Sequence, residues 1–343
     1  MAFRKSSDSR PQILEVTPQA AIPGGEFQVR GKNFTRAGRA AVTIGAVPAP
    51  LVVGSDSYII VRVPEGAAGG EMIVGQNGDS SAPRHLRVGV QIADGLHPIA
   101  NPAVDRMGNI FATFSGSRGQ KTPVSVYRVD AVTGQCAPFV SDVVNASGLA
   151  VDHEQVLYVS SRNEGTIYRI SENGSPSVYV EGMGVATGIV FDAAGNLYVG
   201  DRSGTIFKVS PQRQIYVFAT IETSISAYHL ALGPDGYLYV TGPTTSSFDA
   251  VQRISPAGEV EPFFRGLGRP QGLSFDVNGN LYVAASFQGR RGVVRISPVK
   301  EAELFLSGPG IVGQAFDRGA NLILATSSAL FRVPVGIEGQ HLS

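Results

Sequence analysis

The sequence predicts an all-β protein: a small β-sandwich followed by a six-bladed β-propeller that is closed by an N-terminal strand. Three observations lead to this prediction: a phrase repeated along the chain from about residue 100, a run of short strands before it, and a high content of turn-forming residues. The 343 residues include 42 Gly and 21 Pro. Such a composition suits many short strands joined by tight turns.

The repeated phrase consists of an apolar strand, an Asp, a tight turn and a second strand that reads Leu-Tyr-Val. Its best copies are GIVFDAAGNLYV at 188–199 and GLSFDVNGNLYV at 272–283. The aspartate position recurs every 40 to 47 residues, at Asp105, Asp152, Asp192, Gly233, Asp276 and Asp317. A period near 40 in a sequence of strands predicts a β-propeller, because one such unit cannot bury both of its faces alone.

Each copy continues into further strands, for example TIYRI at 166–170 and SVYV at 177–180. Four strands in each of six copies predict six blades over residues 89–335. The sixth copy ends after its third strand, ALFRV at 329–333, whereas a strand at 88–95 precedes the first copy. We expect this strand to complete the sixth blade and close the ring, which leaves no long open edge. Residues 336–343 are expected to be a tail.

The segment from residue 11 to residue 88 lacks this period and forms a separate predicted domain. It reads as seven short strands, at 13–17, 26–31, 41–44, 48–53, 58–63, 70–76 and 85–88. This number of strands in so short a segment predicts a small β-sandwich. Residues 1–10 are expected to be a disordered lead-in.

The sequence of residues 11–88 resembles that of the IPT/TIG immunoglobulin-like family. The resemblance rests on PQILEVTP at 11–18, GGEFQVRGKNF at 24–34, VTIG at 42–45 and VRVP at 61–64. Gly24 permits a turn that needs a positive φ, and Phe34 supplies a core anchor. The resemblance implies an immunoglobulin-like module that acts as a spacer, a partner-binding unit or a dimerising unit.

The repeats, such as GLAVDHEQVLYV at 148–159, resemble the NHL-repeat and gluconolactonase (senescence-marker protein) propellers. For a lactonase, the resemblance implies a divalent cation in the central channel, held by a Glu, two Asn and an Asp, which polarises the lactone carbonyl and activates water. The equivalent positions precede the first strand of each repeat, at Ala100, Ser147, Thr187, Tyr228, Gln271 and Val312. None carries a carboxylate, so we expect neither catalytic residues nor a cofactor, with calcium or another divalent cation as the alternative.

Two further groups of residues are candidates for ligand binding. His229 replaces the Gly of the repeat, and Tyr228 is expected to face the channel. Arg162, Asp201 and Arg202 follow second strands, where they either bind a ligand or form Asp–Arg pairs between blades. The turn aspartates are expected to cap their own backbone. The complete set of candidate ligand-binding residues is Ser147, Arg162, Thr187, Asp201, Arg202, Tyr228, His229 and Gln271.

The composition excludes several functions. The 28 basic and 28 acidic residues cancel, so no global field favours nucleic acid or an anionic membrane. No apolar window is long enough to span a membrane, and one cysteine cannot form a disulfide within the chain. No apolar segment follows the basic start, so the chain is expected to be cytoplasmic as written, or exported if a leader has been removed.

The favoured function is a non-catalytic binding or interaction scaffold that holds a protein, peptide or glycan at the propeller face or channel mouth. The Ser/Thr/Gly-rich loops at 114–123 and 242–250 support it, because recognition is usually carried by loops on a rigid scaffold. The alternative is a lactone hydrolase, or a lyase, with an altered channel site. A third interpretation is a structural role in a larger assembly. The sequence leaves the oligomeric state and the ligand open.

Overall fold

The computed structural model describes residues 9–36, 38–117, 119–245 and 249–341. Throughout these residues the regular elements are β-strands, which confirms the all-β prediction. None of them forms a helix that could cross a membrane. Most of the predicted lead-in (1–8), the last two residues of the predicted tail (342–343) and parts of both predicted loops (118 and 246–248) lie outside the described residues.

The chain divides into two compact units. The first extends to Val90 and also includes Leu304–Pro309, whereas the second contains Gln91–Glu303 and the chain from Gly310 onward. The strands of the first unit are β1 (Gln12–Thr17), β2 (Ala20–Ala21), β3 (Glu26–Lys32), β4 (Ala41–Ile44), β5 (Val47–Ala49), β6 (Leu51–Gly54), β7 (Tyr58–Arg62), β8 (Gly70–Gln76), β9 (Asp79–Ser80) and β10 (Arg84–Val88).

These strands form two sheets around one apolar core. One sheet has the order β1-β3-β7-β6, and the other contains β2-β10-β8-β4-β5, with β9 beside β8. Phe27, Phe34, Ile59 and Met72 are fully buried in the core. Phe34 therefore is the anchor that the sequence predicts, and a Cβ on Gly31 would collide with its aromatic ring.

The single strand predicted at 48–53 is wrong, because two strands occupy this segment. β5 pairs with β4, whereas β6 pairs with β7 in the other sheet. Pro50 lies between them; it has no N–H to donate, and its carbonyl accepts a hydrogen bond from the Arg62 amide over 2.9 Å. The chain therefore changes sheets at this proline.

The second unit contains a series of short sheets built from successive strands. Its strands are β11 (Val90–Ala93), β12 (Ala103–Val104), β13 (Ile110–Thr113), β14 (Val126–Val129), β15 (Cys136–Val140), β16 (Ala146–Val151), β17 (Leu157–Ser161), β18 (Thr166–Ile170), β19 (Pro176–Val180), β20 (Ala186–Phe191), β21 (Leu197–Asp201), β22 (Thr205–Val209) and β23 (Ile215–Thr220). They continue with β24 (His229–Leu232), β25 (Leu238–Thr241), β26 (Ala250–Ile254), β27 (Val260–Arg265), β28 (Leu273–Phe275), β29 (Leu281–Phe287), β30 (Arg290–Ile296), β32 (Ile311–Phe316), β33 (Asn321–Thr326) and β34 (Leu330–Pro334). β31 (Ala302–Ser307) begins in the second unit and ends in the segment Leu304–Pro309 of the first.

Four of these sheets have the orders β12-β13-β14-β15, β16-β17-β18-β19, β20-β21-β22-β23 and β24-β25-β26-β27. β28, β29 and β30 pair in the same way. β11 joins β34, β33 and β32 in a further four-stranded sheet. The first strand of each sheet lies beside the first strand of the next, and β32 lies beside β12.

The turn aspartates have the structural role that the sequence predicts. Asp276 accepts hydrogen bonds from the backbone amides of Asn278 and Asn280 over 3.0 and 2.9 Å. The equivalent carboxylates of Asp192 and Asp317 cap their turns in the same manner. These carboxylates hold the link between the first and second strands of their sheets.

The C-terminal segment, predicted as a tail, pairs with the second unit. The backbone carbonyl of Glu338 accepts a hydrogen bond from the Val277 amide over 3.0 Å, and the Gln340 amide donates to Phe275 over 2.9 Å. Gly339 packs so closely against Phe316 that a Cβ would overlap its side chain. Residues 338–340 therefore extend along the end of β28.

Candidate functional site

The main candidate site is a cavity of about 250 Å³ lined by the first strands of the successive sheets. Its wall is mainly apolar and comes from β16, β20, β24, β28 and β32, as Leu149, Ala150, Val151, Ile189, Val190, Leu230, Ala231, Leu273 and Ala315 illustrate. A cavity lined by apolar side chains with a few polar groups is the usual form of a small-molecule site.

The cavity narrows at the end where the first strands begin, because the repeat places glycine there. A Cβ at Gly188 would lie 2.5 Å from the Tyr228 carbonyl oxygen, and one at Gly148 would overlap the Thr187 carbonyl. Gly313 similarly abuts the backbone of Ala100. Only glycine permits so close an approach of neighbouring strands, so these positions bring the strands together.

At two equivalent positions of the repeat another residue replaces the glycine, Asn101 in the first copy and His229 in the fourth. Both residues line the cavity. Asn101 donates a hydrogen bond to the Leu273 carbonyl over 2.9 Å and accepts one from the Gln314 amide over 3.1 Å. Its side chain therefore connects β28 and β32 at the narrow end. We call Asn101, His229 and Gln314 the deep end of the cavity.

The deep end contains buried polar groups without partners. Gln314 is 0% exposed, and neither its side-chain nitrogen nor its oxygen has a hydrogen-bond partner among the described residues. The same is true of Nδ1 of His229, which is 4% exposed. An unsatisfied buried polar group costs about 1–3 kcal/mol. These atoms have almost no accessible surface, so the protein itself, and not a molecule in the cavity, surrounds them.

Burial lowers the pKa of His229 to about 4, because the charged imidazolium would lose its hydration. The imidazole is therefore neutral near pH 7, with one nitrogen as donor and the other as acceptor. The deep end thus presents neutral hydrogen-bonding groups, an amide and an imidazole.

The opposite end of the cavity, where the first strands end, carries charged and polar residues. We call this end the mouth; it is lined by Asp105, Arg106, Asp152, Gln155, Arg318, Gln340 and His341. Asp105 accepts hydrogen bonds from the backbone and side-chain nitrogens of Asn109, each over 2.8 Å. Asp152 accepts one from the Val156 amide over 2.9 Å. These carboxylates are thus engaged in their turns.

Of the residues predicted to face the channel, Ala100 lines the cavity, whereas Thr187 and Tyr228 lie between the sheets. Tyr228 packs in the apolar core with Tyr198 and Leu230, and its hydroxyl donates to the Glu222 carbonyl. Thr187 donates to the Gly200 carbonyl over 2.8 Å. Their polar atoms therefore stabilise the backbone.

Ser147 is the second residue of β16, and Gln271 precedes β28. Ser147 is fully buried and its hydroxyl has no hydrogen-bond partner among the described residues. The backbone amide of half-buried Gln271 donates to the Ala284 carbonyl over 2.8 Å. Neither residue lines the cavity.

Arg162 and Arg202 follow the second strands of two neighbouring sheets, β17 and β21, and Asp201 is the last residue of β21. Asp201 accepts a hydrogen bond from the Val185 amide over 2.8 Å and another from the Ser203 hydroxyl. Arg162 donates to the Ser115 hydroxyl and the Gly116 carbonyl over 3.1 and 3.2 Å. Burial, and secondarily the charge of Arg202, lowers the pKa of Arg162.

The three residues are therefore near each other, but the ion pairs among the described residues do not include an Asp201–Arg pair. Asp201 acts as a cap for the turn that follows β21, and Arg162 attaches the 114–123 loop to β17. Asn145 holds the same loop, because its side chain donates to the carbonyls of Gly116 and Ser117 over 2.9 and 2.8 Å.

The 242–250 loop borders a second, smaller cavity of about 120 Å³. Its lining includes Tyr228, Asp249 and Arg265. Thr244 is attached to Asp249 through its amide and its hydroxyl, each over 2.9 Å.

The divalent cation of the lactonase family does not fit the positions that would hold it. The six equivalent residues supply no carboxylate, and Tyr228 and Thr187 use their hydroxyl groups within the fold. Among the described residues, no group of three or more His, Cys, Asp or Glu side chains is arranged to hold a metal ion. No reaction step through such an ion follows from these residues.

Gln314, Arg106 and Arg318 were missed by the sequence analysis. The signal for Gln314 was present, because this residue stands where other copies of the repeat have Leu149, Ile189 or Leu230. A buried strand position that changes from leucine to glutamine in one copy indicates a departure from simple apolar packing, because burying a polar group is costly.

The family and structure comparisons agree with the two-part architecture. Residues 11–86 match the family model described as IPT/TIG domain, which confirms the resemblance of this segment. No curated protein sequence matches the chain.

Several solved structures have a similar fold. A gluconolactonase from Xanthomonas campestris is 17% identical, with a TM-score of 0.59 over 72% of this chain and 89% of that chain. An auxiliary nutrient binding protein from Bacteroides thetaiotaomicron is 12% identical, with a TM-score of 0.56 over 95% of this chain and 98% of that chain. A catalytically inactive virginiamycin B lyase from Staphylococcus aureus is 12% identical, with a TM-score of 0.52 over 96% of each chain. At these identities the likeness shows the fold, that of propeller proteins, and no activity.

Proposed function

We propose that this protein is a non-catalytic binding protein whose channel cavity holds its ligand, or a protruding part of a protein, peptide or glycan partner. The observation that carries the proposal is the cavity itself, with an apolar wall from the first strands and charged and polar residues at its mouth. An apolar cavity with a few polar groups at its entrance is the usual form of a small-molecule site. The function needs no cofactor.

The proposal includes a ring of six blades. Its support is that β16, β20, β24, β28, β32 and β12 are neighbours in a cycle. We further propose that β11 closes the ring as the fourth strand of the last blade, since it shares a sheet with β34. The NHL-like pattern of the repeat fits this arrangement. A closed ring gives the cavity a rigid wall, which favours binding because little conformational freedom is lost.

The likeness to a nutrient binding protein agrees with a binding role, and it covers nearly all of both chains. The IPT/TIG segment fits such a role as an arm or a partner-binding unit. The lactonase interpretation rests on the fold alone, and the cation ligands of that family have no counterpart at the equivalent positions.

Ligand-observed NMR against a mixed panel of small acids, sugars and short peptides tests the proposal. We expect binders that are lost in Ala231→Phe and Ala315→Phe, which fill the cavity wall, and kept in Ala194→Phe, whose side chain is at an exposed turn. Circular dichroism establishes that the variants fold. Binding that survives in both cavity variants, or the absence of any binder, would contradict a channel site.

Thermal unfolding with millimolar calcium, magnesium, manganese or zinc, against a chelated control, tests the alternative. An ion at about 100 times its Kd adds roughly 2.7 kcal/mol of apparent stability. We expect no shift. A shift that is lost in Asn101→Ala, together with hydrolysis of a lactone, would support the lactonase instead.

A further inference from the structure

The outer edge of β23 (Ile215–Thr220) is open to solvent. This strand is the last of the sheet β20-β21-β22-β23, and no described strand pairs with it on its outer side. Its residues Ile215, Tyr216 and Val217 are 43%, 51% and 66% exposed. We propose that this edge pairs with the same edge of a second copy of the protein, as an antiparallel strand pair about a two-fold axis. The proposal concerns a surface separate from the cavity and does not depend on the proposed function.

Ile215 and Val217 direct their backbone polar groups away from the sheet. The Ser210 amide donates to the Gln214 carbonyl over 2.9 Å at the turn before β23, and Tyr216 continues the same register. In an antiparallel ladder every second residue bonds to the neighbouring strand, so Gln214 and Tyr216 bond toward β22. Ile215 and Val217 therefore present their N–H and C=O groups to solvent.

This open stretch ends at Phe218. The register of β23 against β22 shifts between Val217 and Ala219. A Cβ on Gly258 would lie 2.5 Å from the Phe218 carbonyl oxygen, so the turn before β27 covers that oxygen. We call Ile215, Tyr216 and Val217 the open edge of β23.

The outer strands of three other sheets carry a proline where β23 does not. The same register applies to β15, β19 and β27, and it gives each strand two outward-facing positions. One of the two is a proline in each case: Pro138, Pro176 and Pro262. Proline has no N–H to donate, and prolines on an edge strand prevent its pairing with another chain. Of these four strands, β23 alone keeps both outward-facing N–H groups.

An identical strand fits the open edge because this edge is self-complementary. In an antiparallel pair about a two-fold axis, Ile215 lies opposite the partner's Val217, and Val217 lies opposite the partner's Ile215. Each of these pairs exchanges two N–H···O=C hydrogen bonds, so the pairing uses every outward-facing donor and acceptor of both open edges. Tyr216 then lies opposite the partner's Tyr216, and aromatic pairs of this kind stabilise neighbouring strands.

The charges beside the edge favour the antiparallel arrangement. Residues 214–221 are all uncharged, so no like charges oppose each other across the pair. Exposed Arg213 precedes the strand, and exposed Glu222 follows it. Antiparallel pairing brings the Arg213 end of each strand toward the partner's Glu222, whereas parallel pairing would bring like charges together.

Sedimentation equilibrium between about 10 and 500 µM tests the dimer. One short strand is a small contact, so we expect a Kd on the order of 100 µM. Val217→Pro should weaken association at least about tenfold, because it removes an outward-facing N–H group and places a ring on the edge. Pro138 and Pro262 occupy the equivalent positions of β15 and β27, so this variant should fold, which circular dichroism checks.

Val178→Pro is the matched control. Val178 of β19 is the equivalent of Val217 and is 53% exposed, but Pro176 already blocks that edge. This variant should dimerise like the parent protein.

Oxidative cross-linking tests the register. In a Cys136→Ala background, Tyr216→Cys should give a disulfide-linked dimer, because the opposed Cα atoms of a pair without mutual hydrogen bonds lie about 4.5 Å apart, within reach of a disulfide. Ile225→Cys, at a site that is 52% exposed, should cross-link far more slowly.

A parent protein that stays monomeric at about 500 µM would overturn the proposal. A dimer that Val217→Pro leaves unchanged, or equal cross-linking of the two cysteine variants, would do the same. If Val217→Pro does not fold, the cross-linking comparison decides. A monomer that instead binds a synthetic peptide with the sequence of residues 213–221 would assign the open edge to a strand of another protein, and the second copy would be wrong.

Discussion

The backbone amide of Gln314 donates a hydrogen bond to the side-chain oxygen of Asn101 over 3.1 Å, although 213 positions separate the two residues in the chain. The Asn101 nitrogen donates in turn to Leu273 over 2.9 Å. One side chain therefore joins the beginning of the repeat region to two of its last strands, at the narrow end of the cavity.

Asn101→Ala should lower the free energy of unfolding by about 1–3 kcal/mol, because the Gln314 amide and the Leu273 carbonyl lose their partner. Urea denaturation measures the change. Asn163→Ala, at an exposed turn position, should change stability by less than about 0.5 kcal/mol. A stable Asn101→Ala protein would show that these hydrogen bonds contribute little.

The stability of the protein should fall on acidification because of His229. Burial lowers its pKa to about 4, from an ordinary value of 6.5. Between these pH values the unfolded chain binds the proton more readily than the folded one, so stability is complete above about 6.5 and is lost as the pH falls toward 4. The loss is at most about 1.4 kcal/mol per pH unit.

The variant His229→Gln isolates this effect. Between about pH 4 and pH 6.5, the free energy of unfolding should change more steeply with pH for the parent protein than for the variant. Above this range the two curves should be parallel. Parallel curves at all pH values would mean that His229 is hydrated or paired in the folded protein.

Gly188→Ala should destabilise the second unit by about 1–3 kcal/mol, the usual cost of overpacking a close contact. The added Cβ would lie 2.5 Å from the Tyr228 carbonyl oxygen, and backbone atoms must move to accept it. Gly54→Ala serves as the matched control, since a Cβ there meets nothing within 4 Å. Thermal unfolding followed by circular dichroism distinguishes the two variants, and similar midpoints would refute a tight approach of β20 and β24.

Tyr239→Ala should cost about 3–5 kcal/mol, as for other buried aromatic residues. The Tyr239 ring lies between Phe275 of the following sheet and Phe263, at centroid distances of 4.8 and 5.0 Å. Tyr239→Phe should cost about 1 kcal/mol, because the ring stays and the hydroxyl loses its hydrogen bond to Asp235. Tyr216, which is 51% exposed, provides the control substitution to alanine in the same denaturation series.

Much of the fold could be predicted because the strands and turns of the repeat depend on residues that are close together in the sequence. Asp192 and Asp276 cap tight turns whose geometry depends on nearby residues only, and apolar strands flank them. The division of the predicted strand at 48–53 into two strands was harder to predict, since both halves have strand-forming sequences. The change of sheet depends on partners that are distant in the chain, such as Arg62.

The sequence by itself determined the strands, the capped turns, the IPT/TIG segment and the periodic architecture, because each depends on local patterns or on their repetition. Only the tertiary structure decided which side chains line the cavity. Glycine at the start of the first strands lets neighbouring sheets approach so closely that Thr187 and Tyr228 are held between them. Asn101, His229 and Gln314 therefore line the cavity instead. Their positions depend on backbone contacts between strands that lie far apart in the chain.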